Sequence, residues 1–488
     1  MTSKSVKRLL AALLLCAAGV LPPIAQGAGM GAEEARHLLA RTGFGARLGE
    51  IDTYARLERR EAVERILSGV RTEARTPAPE GALAWTPPTR LRQMAAEDRK
   101  LFVRGLVEQG LALKAWWLGE MLSTDSPFSE RMTLFWHNHF TSSLQKVRST
   151  ALMYRQNALL RRHALGSYAE LLHAAAKDPA MLVYLDSATN RRGQPNENFA
   201  REVMELFTLG EGKYSERDVR EAARAFTGWS IDRDSGQFMW RPFAHDDDPK
   251  TIFGRTGNFR GEDVINLLLE QPATAEQMVA KLWREFVSPQ PDAVVVKRVA
   301  AGFRSSGYQL RPVLRELLLA DAFWAPQNRG ALIKSPVDLV VGTLRQFDIA
   351  IADPLPFALV LRNLGQDLLS PPNVKGWPGG EAWINSQTLL ARKQFVERLL
   401  RVDEARMMPA RMEQAADAQQ PMARRFMQAM MEIRFSANDW VAALPAGDTV
   451  RSMQTVLLAA APANDHAAAA QGVDLLRALV ADPAYQLK

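Results

Sequence analysis

A mostly α-helical fold is predicted by three observations: apolar residues recur at helical spacing behind recognisable caps, alternating apolar and polar stretches are scarce, and 47% of the 488 residues are hydrophobic. A chain of this length and composition can bury a large core without crosslinks. The expected architecture is one large multi-helix domain over residues 28–400, with at most a small β-hairpin, followed by a helical C-terminal appendage over residues 401–488.

The chain opens with Lys4, Lys7 and Arg8, runs apolar over residues 9–21, breaks at Pro22 and Pro23, and offers Ala25, Gln26 and Gly27 as a cleavage site. This is the layout of a secretory signal peptide over residues 1–27. Its apolar run is shorter than the roughly 20 residues a spanning helix needs. An exported protein, periplasmic or extracellular, is therefore expected. Cys16 is the single cysteine and lies in this leader, so the mature form lacks disulfides and thiolate metal sites.

Further along, Pro77, Pro79, Pro87 and Pro88 mark a surface loop over residues 71–90. Asn196 is placed to cap a helix that stops before Gly210. Residues 236–243 carry the best strand pattern and predict the one hairpin. Thr274 with Gln277 reads as a capping box ahead of Met278, Val279, Leu282, Trp283 and Phe286. Ser335, Pro336 and Asp338 supply a cap hydroxyl, a first-turn proline and a first-turn acid for a helix from 336 to about 347. Beyond Arg401 the composition shifts to Ala, Gln, Met and Arg, and residues 406–425 lose periodicity, which reads as a flexible joint.

The net charge of +7 falls to +4 without the three basic residues of the leader. No dense Lys/Arg block or glycine–aromatic repeat accompanies it, so nucleic acid is not an expected partner. Past the leader no apolar run is long enough for an integral membrane segment.

Three polar clusters stand out. His137 and His139 lie two residues apart among Phe135, Trp136 and Phe140. In a helix their imidazoles point about 200° apart, so they share a metal only where the chain is extended; otherwise they are two core histidines. In the second cluster Phe199, Val203, Leu206 and Phe207 make an apolar face, while Glu197, Arg201 and Glu205 line the opposite one. That polar stripe is either a solvated ion-pair ladder or a source of general acid–base groups. Glu202 sits at the edge of the apolar face, where a carboxylate is either paired or put to use. The third cluster, His245 to Lys250 with Asp246, Asp247 and Asp248, has the composition of a loop able to hold a hard cation or, more commonly, of a solvated turn.

Trp377, Trp383 and Asn385 fall in a glycine- and proline-rich stretch over residues 370–385, where the indoles serve either as stacking platforms for sugar rings or as anchors to the core. The serine-hydrolase elbow, the zincin helix, the phosphate loop and the dinucleotide fingerprint are all absent. Ser143 to Lys146 matches the S-x-x-K pattern alone, without its companion elements.

On residues 37–45, 136–140, 196–210, 226–229, His245, Asp246, Lys250, Lys334 to Pro336, and 371–385, the chain resembles a bacterial family known as domain of unknown function 1800. Asp248 departs from the glycine expected in that family's loop. The resemblance implies an exported helical protein, and a partner resembling secreted sulfatases and phosphatases, the family numbered 1501. It carries over no activity, but it falls on the same histidines, carboxylates and tryptophans that their chemistry had singled out.

Two functions are expected from these residues. In the first, a metal-assisted hydrolase acts on an envelope or extracellular polymer, with His137, His139, Glu202, His245 and Asp246 holding a divalent metal and Glu197, Arg201 and Glu205 as catalytic groups. In the alternative, a non-catalytic protein binds a polysaccharide through Trp377, Trp383 and Asn385, or assembles with the sulfatase- or phosphatase-like partner. The first requires distant stretches of chain to converge on one pocket.

Overall fold

In a computed structural model, residues 29–406, 421–445, 447–465 and 471–488 are described. The expected leader and most of the expected joint lie outside these residues. The protein is mostly α-helical, as predicted, and its described strands form two small antiparallel ladders. One ladder pairs β1 (Trp229–Ile231) with β2 (Phe238–Trp240), which realises the predicted hairpin. The other, β3 (Lys250–Ile252) with β4 (Arg255–Gly257), adds a hairpin that the sequence pattern did not announce. Each strand is only three residues long, too short for alternation to register.

Several helices begin where their caps predict. Ser335 and Asp338 form a reciprocal capping box at the start of the Pro336–Gln346 helix, and every residue of that helix is buried. Asn196 accepts from the Asn198 amide at the start of Glu197–Glu202. Gly210 ends the continuation with a φ of 88°, a conformation that costs glycine little. The Thr274 box does not form: that helix starts at Pro272, and the Thr274 hydroxyl donates to the Leu268 carbonyl of the preceding helix at 2.6 Å.

Two apolar clusters hold the helices together. The first gathers Trp136, Tyr168, Phe199, Phe226, Trp229 and Phe286, with the helices around them. The second centres on Trp117 and the Pro336–Gln346 helix, and includes Trp440, Leu476 and Tyr485 from beyond residue 401. Residues 401–488, read as a helical appendage, are helical over much of their described length and pack into this second core. Trp440 donates to the Gln346 carbonyl, and backbone pairing joins Leu332 to Lys488.

The residues 37–45 stretch staples the first described helix, Ala32–Thr42, to the rest. Fully buried Arg41 donates to the carbonyls of Phe286, Val287 and Asn328, and His37 bonds the Phe323 carbonyl at 2.8 Å. Gly45 and Gly342 then meet backbone to backbone: a Cβ on Gly342 would lie 2.5 Å from the Phe44 carbonyl oxygen. The proline-rich loop is tied by buried Glu120, which accepts from the Arg75 and Thr76 amides. At its far end the Trp85 indole donates to the Arg233 carbonyl, so the loop reaches the first hairpin. Among the described residues no helix is long and apolar enough to cross a membrane.

Candidate functional site

His137 and His139 end the Pro127–His139 helix and, as its geometry requires, face different surroundings. The His137 ring lies between Trp117 and Trp377, at centroid distances of 5.4 and 5.7 Å, and neither nitrogen has a protein partner. Burial lowers its pKa to about 3, so it is a neutral imidazole. His139 packs among Trp136, Phe140, Tyr168 and Phe207, and burial together with the nearby Lys281 ammonium holds it neutral as well. Lys281 approaches its Nδ1 at 3.1 Å. These are core histidines.

The following Asn138 fixes the glycine–tryptophan loop. Its Oδ1 accepts the Trp377 amide at 2.7 Å, and Gly376, at φ 83°, leaves no room there for a side chain. Trp377 is 4% exposed and Trp383 6%, so neither indole offers a face to a sugar ring. The expected stacking platform is instead an anchor, because this loop closes over the second core. Asn385 caps the Ser386–Leu400 helix by accepting from Thr388.

The second cluster departs from a regular helix. After Glu202 the chain widens to a π-helical turn over Val203–Leu209. Its carbonyls are taken by side chains: Lys281 donates to Leu206, the Tyr168 hydroxyl to Phe207, and the Thr208 hydroxyl to Val203. Arg201 pairs with Glu216 at 2.7 Å and with Glu197 at 3.5 Å, a partly exposed ladder. Glu205 accepts from the Tyr214 hydroxyl. Glu202 is half-buried, and its pKa is raised by burial and then by Glu205.

In the third cluster the polar groups lock a turn. His245 is buried, with Nδ1 2.9 Å from the Thr227 carbonyl oxygen and its ring against Trp240. Asp246 forms a two-point ion pair with Arg224 at 2.8 and 3.2 Å, and the Arg224 hydrogen bond holds its carboxyl below the usual range. Lys250 closes the turn by donating to the Asp246 and Asp248 carbonyls. Among the described residues no three His, Cys, Asp or Glu side chains are placed to share a metal ion. His137 and His139 are taken up by aromatic packing, and His245 and Asp246 by the bonds of their own turn, while Glu202 stays half-buried.

The first hairpin, β1 with β2, precedes this turn in the chain. Beside it lies a cavity of about 500 Å3, bounded by Asn190, Gly228, Trp229, Phe243 and four arginines, Arg92, Arg191, Arg233 and Arg241. Among the described residues no acidic side chain lines it. Its volume falls in the range of about 300–1,000 Å3 typical of ligand sites. Gly228, at φ 86°, lets the floor approach the opposite side: a Cβ there would stand 2.8 Å from the Arg241 carbonyl oxygen. The Arg241 amide donates to Gly228 at 2.8 Å, and the Arg192 amide to Ala244 at 2.8 Å. Phe243 is 86% exposed at the rim.

Concave walls lined by one sign of charge focus the field and concentrate counter-ions. These arginines were not among the candidate residues, because they come from three separate stretches and none forms a basic run. Their one sequence signal is that Arg233 precedes the predicted strand stretch, residues 236–243, and Arg241 falls within it.

Residues 37–487 match the family described as protein of unknown function (DUF1800). The chain belongs to that family, whose match takes in both cores and every segment of the cavity. No curated protein and no solved structure matches the chain.

Proposed function

We propose that this is an exported, non-catalytic binding protein for an anionic polysaccharide, sulfated or carboxylated, received in the cavity beside the first hairpin. The observation that supports it is the lining: four arginines, an exposed phenylalanine and, among the described residues, no carboxylate around about 500 Å3. Arginine forks match sulfate and carboxylate oxygens in pairs, and an exposed ring offers an apolar surface to a sugar. The export follows from the leader. A partner resembling sulfatases or phosphatases suits the same reading, since such a protein acts on anionic esters. For the metal-hydrolase expectation, no group of three or more donors placed to share a metal supports it among the described residues.

Calorimetric titration of the mature protein with a sulfated dextran oligosaccharide tests this, against neutral dextran and a single-stranded oligonucleotide of equal charge. Binding of the sulfated sugar is expected to weaken with salt and to fall at least tenfold in Arg233→Ala/Arg241→Ala, about 1.4 kcal/mol. Unchanged affinity in that double variant, or equal affinity for the oligonucleotide, refutes the proposal.

A further inference from the structure

A second, smaller cavity lies between the first described helix, the start of the Pro336–Gln346 helix and the segment ending at Lys488. It measures about 30 Å3 and is lined by Arg36, Lys334, Asp338 and Lys488, with Phe44, Gly45 and Gly342 closing it. That is two to three times the minimum for one water.

Its charges do not balance. Asp338 is already held by Arg131 and by Lys488, the latter at 2.8 Å. Glu285, the other acid close to this group, sits 3.4 Å from Arg131. Arg36 is only 8% exposed, and its Nε has no partner. Glu33 acts on it but is ion-paired to Arg329 at 3.2 Å. Lys334 has its ammonium 3.8 Å from the centre of the Tyr485 ring rather than on a carboxylate. Arg392, fully buried beside it, spends its terminal nitrogens on the Lys334 carbonyl and leaves Nε unpaired. Arg41 bonds only carbonyls. Among the described residues Arg36, Arg41, Arg131, Lys334, Arg392 and Lys488 therefore share Asp338, Glu285 and the already paired Glu33, and uncompensated buried charge is costly.

We infer that this cavity is a site for one small oxyanion, a carboxylate, phosphate or sulfate, held between Arg36 and Lys334. Such an ion supplies negative charge at the point where the first and last described helical regions meet, and so clamps the helix of Arg36 and the segment holding Lys488 to the Pro336–Gln346 helix. Burial and then repulsion by Arg36 lower the Lys334 pKa to about 7. The inference is independent of the polysaccharide reading, which concerns the other cavity.

The test is thermal unfolding of the full mature chain at pH 7, titrated with sodium phosphate, sulfate or formate while sodium chloride keeps the ionic strength constant. A saturable rise in Tm is expected for at least one oxyanion, with its half-point shifted at least tenfold in Arg36→Met and in Lys334→Met. Arg425→Met, whose guanidinium pairs with Asp353 away from the cavity, is expected to respond like the parent. Because phosphate and sulfate also stabilise proteins generally by exclusion, a non-saturating rise that persists in both cavity variants overturns the inference. So does an equal saturable response to chloride alone. Should Arg36→Met fail to fold, Lys334→Met carries the same comparison.

Discussion

Replacing Asp338 by asparagine removes a buried carboxylate that two cations share. The carboxylate is 4% exposed, bonds Arg131 and Lys488, and accepts the Ser335 amide at 2.9 Å as part of the capping box. Asparagine keeps an oxygen for the Ser335 amide, so the cap survives, while the charge and the acceptor facing Arg131 are lost. Removing one partner of a buried ion pair typically costs about 3–5 kcal/mol, because the remaining charges stay buried without compensation. Here Lys488 is stranded and Arg131 keeps only Glu285 at 3.4 Å, so a loss within that range is expected. Asp338→Ala adds about 1 kcal/mol by losing the cap. Urea unfolding at pH 7 measures both, read as a shift in midpoint at unchanged slope. The pH dependence gives a second readout. Arg131 and Lys488 hold the folded carboxyl well below its ordinary value, so its stabilisation is complete above about pH 4 and is lost as pH falls below that. Asp338→Asn should therefore show a shallower acid limb than the parent. A loss under about 1 kcal/mol, the scale of an exposed ion pair, refutes the claim that this network is closed to water.

Lys334 gives the opposite sign. Its folded pKa of about 7 lies below the unfolded value of about 10.4, so between these the unfolded chain binds more protons and stability rises with pH. In Lys334→Met that part of the rise is expected to vanish from urea midpoints taken at pH 7 and pH 9; an unaltered slope rejects the assignment. Gly376→Ala places a Cβ 2.2 Å from the Asn138 Oδ1 at a positive φ, and is expected to cost about 1–3 kcal/mol by the same urea assay. A neutral result there means that the glycine–tryptophan loop is not pinned by Asn138.

The sequence by itself determined what is settled within a turn or two of chain. The Ser335 box, the Asn196 cap and the Gly210 stop each depend on residues at most a few positions apart, so their hydrogen bonds could be anticipated from spacing alone. The opposed directions of His137 and His139 followed from helical geometry in the same way. Tertiary structure decided everything that depends on partners far along the chain. Thr274 left its expected box for a carbonyl outside its own helix. His245 and Asp246 carry the chemistry of ligands, yet Thr227 and Arg224, about twenty residues earlier, turn them into fasteners. Trp377 and Trp383 looked equally suited to a sugar or to a core until burial decided between them. The cationic cavity draws Arg92, Arg191, Arg233 and Arg241 from three stretches, and the buried charge cluster joins Arg36 to Lys334 and Lys488. Local pattern records which groups a chain carries; which of them lose water and which find a counter-charge is fixed only when distant segments pack together.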